Sequence, residues 1–354
     1  MKKKMKKLFI PFFILCMILL AACGKSETSS SNGEEKTIKL KYASIVPETH
    51  DLYIYGAKVF MEKVEELGKG KVEIEFYPDG QLGSPADMIN LANSGAADLV
   101  ELGPSYIPGK LVLGNVFQLP GALPDAEIGS KVIWDVFKDE DSIIRKADFT
   151  DNKLIPLLGA TLPLYQIVTT EKKPLKDFKD LEGLKLRSAG GAQDLMVKNL
   201  GAVPVSMDRS EVYTALERGT LDGGVFNLPS LEANKTIEVM KNLTTNANVT
   251  SFVVSLGINE KKWSTMPEDV KDILTQAGDA ASKSLAESVT KSNEKALQNA
   301  IDKGYNPWTL SADELKELNE MVAPTWDQWV KDMKKLGFDG EAAIKEMEEA
   351  LKNY

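Results

Sequence analysis

Arginine is rare in this sequence, and one arginine stands where a ligand could be bound. Of the 43 lysines and arginines only four are arginine: Arg145, Arg187, Arg209 and Arg218. Arg187 ends a short apolar stretch and precedes Ser188-Ala189-Gly190-Gly191, small residues that let a backbone and a ligand approach closely. A planar guanidinium binds a carboxylate through two parallel hydrogen bonds, which lysine cannot reproduce. Arg187 is therefore a candidate carboxylate-binding residue, with a structural ion pair as the alternative.

Other patterns that carry chemistry are weak in this sequence. His50 is the only histidine and no Gly-x-Ser-x-Gly motif occurs, so a Ser-His-Asp hydrolase lacks its residues. Acidic runs such as Asp139-Glu140-Asp141 are typical of solvated faces rather than metal sites. The net charge of −9 argues against nucleic acid, which requires clustered cations. We therefore predict a protein that is not an enzyme and uses no cofactor or metal.

The first residues predict secretion and a lipid anchor. Residues 1–22 join a basic start to an apolar run, Leu8 to Leu20, that suits a signal peptide better than a membrane-spanning helix. The ending Leu20-Ala21-Ala22-Cys23 resembles the bacterial lipobox, in which Cys23 is lipidated; a signal with an incidental cysteine is the alternative. Residues 23–36 are predicted to be a flexible tether. We expect an extracytoplasmic protein anchored at the outer face of the cytoplasmic membrane.

Hydrophobic spacing predicts alternating strands and helices. Residues 38–42 and 72–76 alternate as strands on either side of a helical stretch, which favours a β-α-β unit with parallel strands. Arg187 ends another short strand, and Asp208 with Glu211 predicts a capped helix shortly after it. From Pro267 to Gly304 the composition predicts one helix of roughly 50 Å. The pattern favours two α/β lobes with late helices bracing both.

Several stretches are similar to a known family. They are Leu181–Arg187, Leu200–Met207 and Ser210–Gly219 with Asp222-Gly223, preceded by Tyr77–Gly83 and Leu119-Pro120-Gly121. In this order they resemble the extracytoplasmic solute-binding proteins of TRAP transporters, a dicarboxylate-binding-protein-like family, here in lipoprotein form. The resemblance runs from about Ile38 to Lys303.

The resemblance implies a fold of the periplasmic-binding-protein type II kind. Two α/β lobes would be joined by hinge strands, with a long helix bridging them. Lobe I would span residues 37–162 and lobe II residues 163–252. Residues 253–354 would return to lobe I and supply the bridging helix and the C-terminal helices.

The resemblance also implies a function. A small organic acid would be captured between the lobes by hinge closure, with Arg187 binding its carboxylate, and delivered to TRAP transporter membrane subunits. Feeding a sensory receptor is the first alternative, and a surface-attached enzyme on the same fold is the weaker one.

Departures from the family pattern suggest which acid is bound. Positions where polar relatives carry further charged residues are apolar or aromatic here, so we expect one charged residue in a mostly apolar cleft. A second carboxylate would then be desolvated without a partner, at a cost of several kcal/mol. The predicted ligand is a monocarboxylate with an apolar or aromatic body. The predicted ligand-binding residues are Arg187, Phe226, Asn227, Tyr165, Gln166, Ile167, Tyr106, Ile45 and His50.

Overall fold

Two β-sheets organise residues 37–354, which are the part of the chain that the computed structural model describes. The predicted signal peptide, the tether and Cys23 lie outside the described residues. The strands are β1 (Ile38–Ala43), β2 (Val72–Tyr77), β3 (Leu99–Leu102), β4 (Leu154–Thr161), β5 (Gln166–Thr170), β6 (Lys185–Ser188), β7 (Val203–Ser206), β8 (Gly223–Phe226), β9 (Met240–Thr244), β10 (Val253–Asn259) and β11 (Asn306–Trp308).

The first sheet, which forms the first lobe, has the strand order β2-β1-β3-β10-β4. The predicted β-α-β unit is confirmed, because β1 pairs in parallel with β2 and a helix connects them. β1 also pairs in parallel with β3, whereas β10 is antiparallel to both β3 and β4. The carboxyl ends of β1 and β3 therefore meet at one edge, the edge at which α/β proteins bind ligands.

The second sheet, which forms the second lobe, has the strand order β11-β9-β5-β8-β6-β7. β6, which carries Arg187, lies between β7 and β8 and is parallel to both. β5 is antiparallel to β8 and β9, and the late strand β11 joins the edge beside β9. Both lobes are thus mixed α/β units, as the sequence predicted.

Two connections cross between the lobes side by side. One leads from β4 to β5 and the other from β9 to β10. They are hydrogen-bonded to each other, because Tyr165 N donates to Thr250 O at 2.8 Å and Leu162 N donates to Phe252 O at 3.0 Å. This paired crossing is a natural hinge, since few residues must change conformation to move one lobe against the other.

Helices cover the sheets and brace the lobes. The longest, α9, has 35 residues and packs on α1, α3 and β4 of the first lobe and on α7 of the second. The predicted long helix is therefore confirmed. Within residues 37–354, no helix combines the length and the apolar character needed to cross a membrane. The α-helices are α1 (Lys58–Gly68), α2 (Met88–Ser94), α3 (Ala126–Lys138), α4 (Ile143–Arg145), α5 (Ala192–Asn199), α6 (Arg209–Glu217), α7 (Leu228–Ala233), α8 (Glu260–Ser264), α9 (Glu268–Asp302), α10 (Ala312–Val322), α11 (Pro324–Leu336) and α12 (Gly340–Leu351).

The capped helix predicted after Arg187 is present, but its predicted cap is wrong. α6 begins where expected, yet the side chain of Asp208 makes no capping hydrogen bond. Burial, and next the carboxylate of Glu211, raise the pKa of Asp208, and the guanidiniums of Arg187 and Arg209 offset part of that rise. A capping box is present at α10, where Ser311 and Glu314 form the reciprocal hydrogen bonds.

Gly278 sets how closely the long helix lies on the first sheet. A Cβ atom at this position would overlap the carbonyl oxygen of Leu157 in β4, and a backbone oxygen cannot move aside like the tip of a side chain. Gly278→Ala is therefore expected to destabilise the protein by about 1–2 kcal/mol, although glycine-to-alanine changes inside helices normally stabilise by about 1 kcal/mol. Urea unfolding of the purified protein measures the change.

Gly68 supplies the matched control for this substitution. It is a helical glycine on the same lobe, the last residue of α1, but the nearest atom to an added Cβ is 3.9 Å away, on Ile273. Gly68→Ala should leave the free energy of unfolding unchanged or slightly higher. A Gly278→Ala variant as stable as Gly68→Ala would contradict the close packing of α9 on β4.

Candidate functional site

A small cavity lies between the two lobes, next to the hinge. The space between its walls totals about 390 Å³, part of which is open to solvent. Residues of both lobes and of the hinge form its wall: Ile45, Val46, His50, Leu52, Tyr106, Leu162, Tyr165, Arg187, Arg209, Phe226, Ser230, Asn234, Phe252 and Val254.

Arg187 is the buried cation of this cavity, with only 2% of its surface exposed. Its Nε and Nη2 donate to Met207 O at 3.2 and 3.1 Å, and Nη2 also donates to the hydroxyl of Tyr106 at 3.3 Å. The guanidinium carbon lies 5.6 Å from the ring centre of Phe226. Among residues 37–354, no carboxylate forms a salt bridge with Arg187. A buried charge with only neutral partners leaves a strong site for an anion.

An aromatic wall continues from Arg187 across the hinge. Tyr106 meets the ring of Phe252 edge-on at 5.2 Å, and Tyr165 stacks on the same ring at 6.3 Å with an interplanar angle of 9°. Gly103 makes room for this arrangement, because a Cβ there would come within 2.7 Å of Phe252. Burial raises the pKa of Tyr165, so its hydroxyl stays protonated. The wall is therefore apolar with hydroxyls at its margin, which suits an apolar or aromatic ligand body.

Arg209 is a second guanidinium on the cavity wall, where the sequence predicted only one charged residue. It stands at the start of α6 in the second lobe and reaches into the first, where Nη2 donates to Ile45 O and lies 2.8 Å from Asp79 Oδ1. Nη1 donates to Asn234 Oδ1 at 2.7 Å. Unlike Arg187, Arg209 is thus paired with a carboxylate, and its contacts connect the lobes.

His50 makes a second contact between the lobes. Its Nδ1 accepts the backbone N–H of Leu52 at 3.1 Å, which assigns the proton to Nε2, and Nε2 then donates to Ser230 Oγ at 2.9 Å. Burial, with a smaller effect of Arg209, lowers the pKa of His50 to about 3. His50 is therefore neutral at physiological pH.

Glu101 positions the first-lobe loop that reaches the cavity. Its buried carboxylate accepts hydrogen bonds from the hydroxyls of Tyr42 and Ser44 and from the backbone N–H of Ile45, at 3.0, 2.7 and 2.9 Å. Burial raises the pKa of Glu101 to about 7 despite these bonds. These hydrogen bonds fix the loop after β1. Ile45 then lines the cavity, and its carbonyl oxygen accepts a hydrogen bond from Arg209.

Six of the nine predicted ligand-binding residues line the cavity and three do not. The six are Arg187, Phe226, Tyr165, Tyr106, Ile45 and His50. Gln166 instead accepts from Thr244 Oγ1 and Ala247 N, inside the second lobe. Ile167, the next residue on β5, is fully buried in the core. Asn227 caps α7 by accepting from Ser230 N at 3.0 Å, so its side chain serves the helix end beside the cavity.

Eight residues of the wall were missed by the sequence analysis. Most of them are apolar residues of the hinge and the first loop, where no local pattern distinguishes a cavity residue from a core residue. Arg209 carried a usable signal, its rarity, but the sequence placed it only in a helix. The eight are Val46, Leu52, Leu162, Arg209, Ser230, Asn234, Phe252 and Val254.

Most of the chain matches the model of a known protein family. The family model for bacterial extracellular solute-binding protein, family 7, matches residues 42–332. The chain is 31% identical over 303 residues to the C4-dicarboxylate-binding periplasmic protein DctP of Rhodobacter capsulatus, which covers 82% of this chain and 85% of that protein. It is 28% identical over 224 residues to the sialic acid-binding periplasmic protein SiaP of Vibrio cholerae, covering 62% and 67%.

Comparison with solved structures finds the same fold. A TRAP solute-binding protein from Rhodoferax ferrireducens, in complex with copurified benzoate, is 24% identical and superposes with a TM-score of 0.82 over 90% of this chain and 98% of that one. A marine metagenome TRAP solute-binding protein, described as specific for aromatic acid ligands and bound to 3-hydroxybenzoate, is 25% identical with a TM-score of 0.82, over 90% and 99%.

Proposed function

The chain belongs to family 7 of the bacterial extracellular solute-binding proteins, those of TRAP transporters, and we propose that it captures a monocarboxylate with an apolar or aromatic body. The acid binds between the lobes, hinge closure buries it, and the closed protein delivers it to a TRAP-type secondary transporter. Lobe I comprises residues 37–162, lobe II residues 163–252, and residues 253–354 return to lobe I, except that β11 joins the sheet of lobe II. Cys23 carries the lipid that anchors the protein outside the cytoplasmic membrane.

The observation that carries this proposal is that Arg187 is buried without a carboxylate partner. Its guanidinium is buried at the cavity wall and, among the described residues, forms no salt bridge with a carboxylate. A ligand carboxylate supplies the missing negative charge through hydrogen bonds from the guanidinium. The aromatic wall of Tyr106, Phe252 and Tyr165 gives the rest of the ligand an apolar surface.

One of the comparisons supports an aromatic ligand, and another supports a competing ligand class, the dicarboxylates. The similar metagenome protein is described as specific for aromatic acids. The Rhodobacter relative, by contrast, is named for C4-dicarboxylates, and Arg209 is a second guanidinium on this cavity wall. The ion pair of Arg209 with Asp79 favours the monocarboxylate, because a second ligand carboxylate must displace or compete with that pair.

A thermal-shift screen of organic acids tests the ligand class. Benzoate, phenylacetate and aromatic 2-oxo acids are expected to raise the melting temperature more than succinate or galacturonate. A ligand at 100 times its dissociation constant stabilises the native protein by about 2.7 kcal/mol, a shift that is easily measured. Mass spectrometry of whatever acid copurifies identifies the natural ligand. Stabilisation by dicarboxylates or sugar acids alone would overturn the proposal.

A further inference from the structure

Arg209 belongs to lobe II, but its guanidinium bonds mainly to lobe I. It is the first residue of α6, and its Nη2 donates to Ile45 O and to Asp79 Oδ1, the latter at 2.8 Å. The side chain of Arg209 is only 14% exposed, so these bonds replace most of its contacts with water. A movement that separates α6 from lobe I therefore breaks an ion pair and a hydrogen bond together.

The two acceptors of Arg209 in lobe I lie on one connected unit. Ile45 is in the loop after β1, and Asp79 is in the turn after β2. Backbone hydrogen bonds join the two segments, since Asp79 N donates to Val46 O at 2.9 Å. The following backbone N–H, that of Gly80, donates to the same loop, also at 2.9 Å. The spacing of the two acceptors is therefore fixed within lobe I, before the guanidinium meets them.

Asn234 holds the guanidinium on the lobe II side. Arg209 Nη1 donates to Asn234 Oδ1 at 2.7 Å, and Asn234 directly follows α7. Both residues of this hydrogen bond belong to lobe II, so the bond persists when the lobes separate. The guanidinium then keeps its orientation, and little side-chain entropy is lost when the lobes meet again.

We propose that Arg209 and Asp79 form a latch, an ion pair that holds the lobes closed and lengthens the residence of the bound acid. Contacts that exist only in the closed state shift the population towards that state. Release of the acid requires opening, so the latch acts on the dissociation rate, and Arg209 is a positioning residue that works without touching the ligand. The inference rests on the hinge closure of the proposed function and is independent of which acid is captured.

A competing role for Arg209 predicts the opposite effect of one substitution. Arg209 lines the cavity, so the alternative is that it binds the ligand carboxylate directly. Asp79 would then compete with the ligand for the guanidinium, and Asp79→Asn would strengthen binding. With the latch, Asp79→Asn weakens the closed state and speeds release. Asparagine suits the position, because Asp79 has a φ of +52° and asparagine tolerates that left-handed conformation.

Stopped-flow fluorescence with benzoate as the probe measures capture and release separately. Asp79→Asn is expected to raise the dissociation rate constant about fivefold, because a charge-assisted hydrogen bond becomes a neutral one. The effect is not larger, since the side chain of Asp79 is 52% exposed and solvent already screens its charge. The association rate constant should change by no more than about twofold, because the latch forms after the acid has entered.

A double-mutant cycle shows whether the effect passes through Arg209. In an Arg209→Gln background, Asp79→Asn should change the dissociation rate constant by less than about twofold, because the ion pair is already absent. Glu127→Gln is the matched control: Glu127 is 44% exposed, its carboxylate pairs with Lys131 at 2.7 Å, and both residues lie in α3 of lobe I. This variant loses an ion pair within one lobe and should release benzoate like the wild type.

Separate outcomes distinguish the latch from the proposed function. Unchanged or slower release of benzoate by Asp79→Asn would overturn the latch and leave the proposed function standing. An equal increase in the dissociation rate constant in both backgrounds of the cycle would also overturn the latch. If succinate binds and benzoate does not, the proposed ligand class is wrong, and the same cycle measured with succinate decides the latch.

Discussion

Arg187→Ala is expected to abolish tight binding of aromatic monocarboxylates. Removing one partner of a buried, hydrogen-bonded charge pair costs about 2–5 kcal/mol, which corresponds to roughly 30- to 5,000-fold in affinity. The loss should be large here because Arg187 is 2% exposed, and no water reaches it easily to replace the guanidinium. Titration calorimetry with the acid that stabilises the wild type most gives the change in affinity.

Two further variants separate the role of the guanidinium from its charge and from folding. Arg187→Lys keeps a positive charge but loses the planar donor geometry, so affinity should fall between those of the wild type and Arg187→Ala. Arg218→Ala removes an exposed arginine at the end of α6 and should bind like the wild type. If Arg187→Ala, with an unchanged circular dichroism spectrum, binds the acid as tightly as Arg218→Ala does, the site assignment is wrong.

Gly190→Ala is expected to keep the lobes from closing. A Cβ at Gly190 would lie 2.6 Å from the carbonyl oxygen of Ser105, across the gap from the second lobe to the first. Ser105 belongs to the turn Pro104–Tyr106, which carries the Tyr106 hydroxyl bound to Arg187. The added methyl group therefore pushes apart the two surfaces that enclose the ligand.

The expected consequence is weak binding by a protein that still folds. Forcing an extra methyl group into a close contact costs about 1–3 kcal/mol, so affinity should fall roughly 5- to 150-fold. Small-angle scattering with saturating ligand should show a larger radius of gyration than for the wild type. Both measurements use the same acid as the Arg187 series.

Gly219→Ala is the control variant that introduces backbone strain without blocking closure of the lobes. Gly190 and Gly219 both have positive φ angles, +105° and +68°, so alanine is strained at either position. An added Cβ at Gly219 meets no atom within 4 Å, which leaves only the strain. Gly219→Ala should lower stability yet close normally around ligand. Equal affinities of the two variants would mean that the approach of Gly190 to Ser105 is not needed for binding.

Local signals were enough to predict the elements and one key side chain. The alternation in β1 and β2, and the long stretch without proline that forms α9, follow from neighbours within a few residues, and both predictions are confirmed. Arg187 stood out because a rare arginine ended a strand and small residues followed it. The family resemblance added the two-lobe arrangement, which the family and structure comparisons confirm.

Two polar side chains make contacts other than those that the sequence patterns predicted. Asp208 and Glu211 have the spacing of a capping box, but the side chain of Asp208 makes no capping hydrogen bond. Gln166 lies next to Tyr165 on the sequence, yet it bonds to Thr244 and Ala247 inside the second lobe. Local sequence patterns cannot predict hydrogen bonds such as those of Gln166, because the partner residues are distant along the chain.

The sequence alone therefore determined the strands, the long helix, the scarcity of arginine and the small residues beside Arg187. Only the tertiary structure decided that Arg209 reaches Ile45, 164 residues away, and that His50 donates to Ser230, 180 residues away. It also decided the charge state of His50, whose low pKa comes mainly from burial. Secondary structure depends on side chains a few residues apart, whereas burial and electrostatic pairing depend on which distant surfaces meet when the two lobes come together.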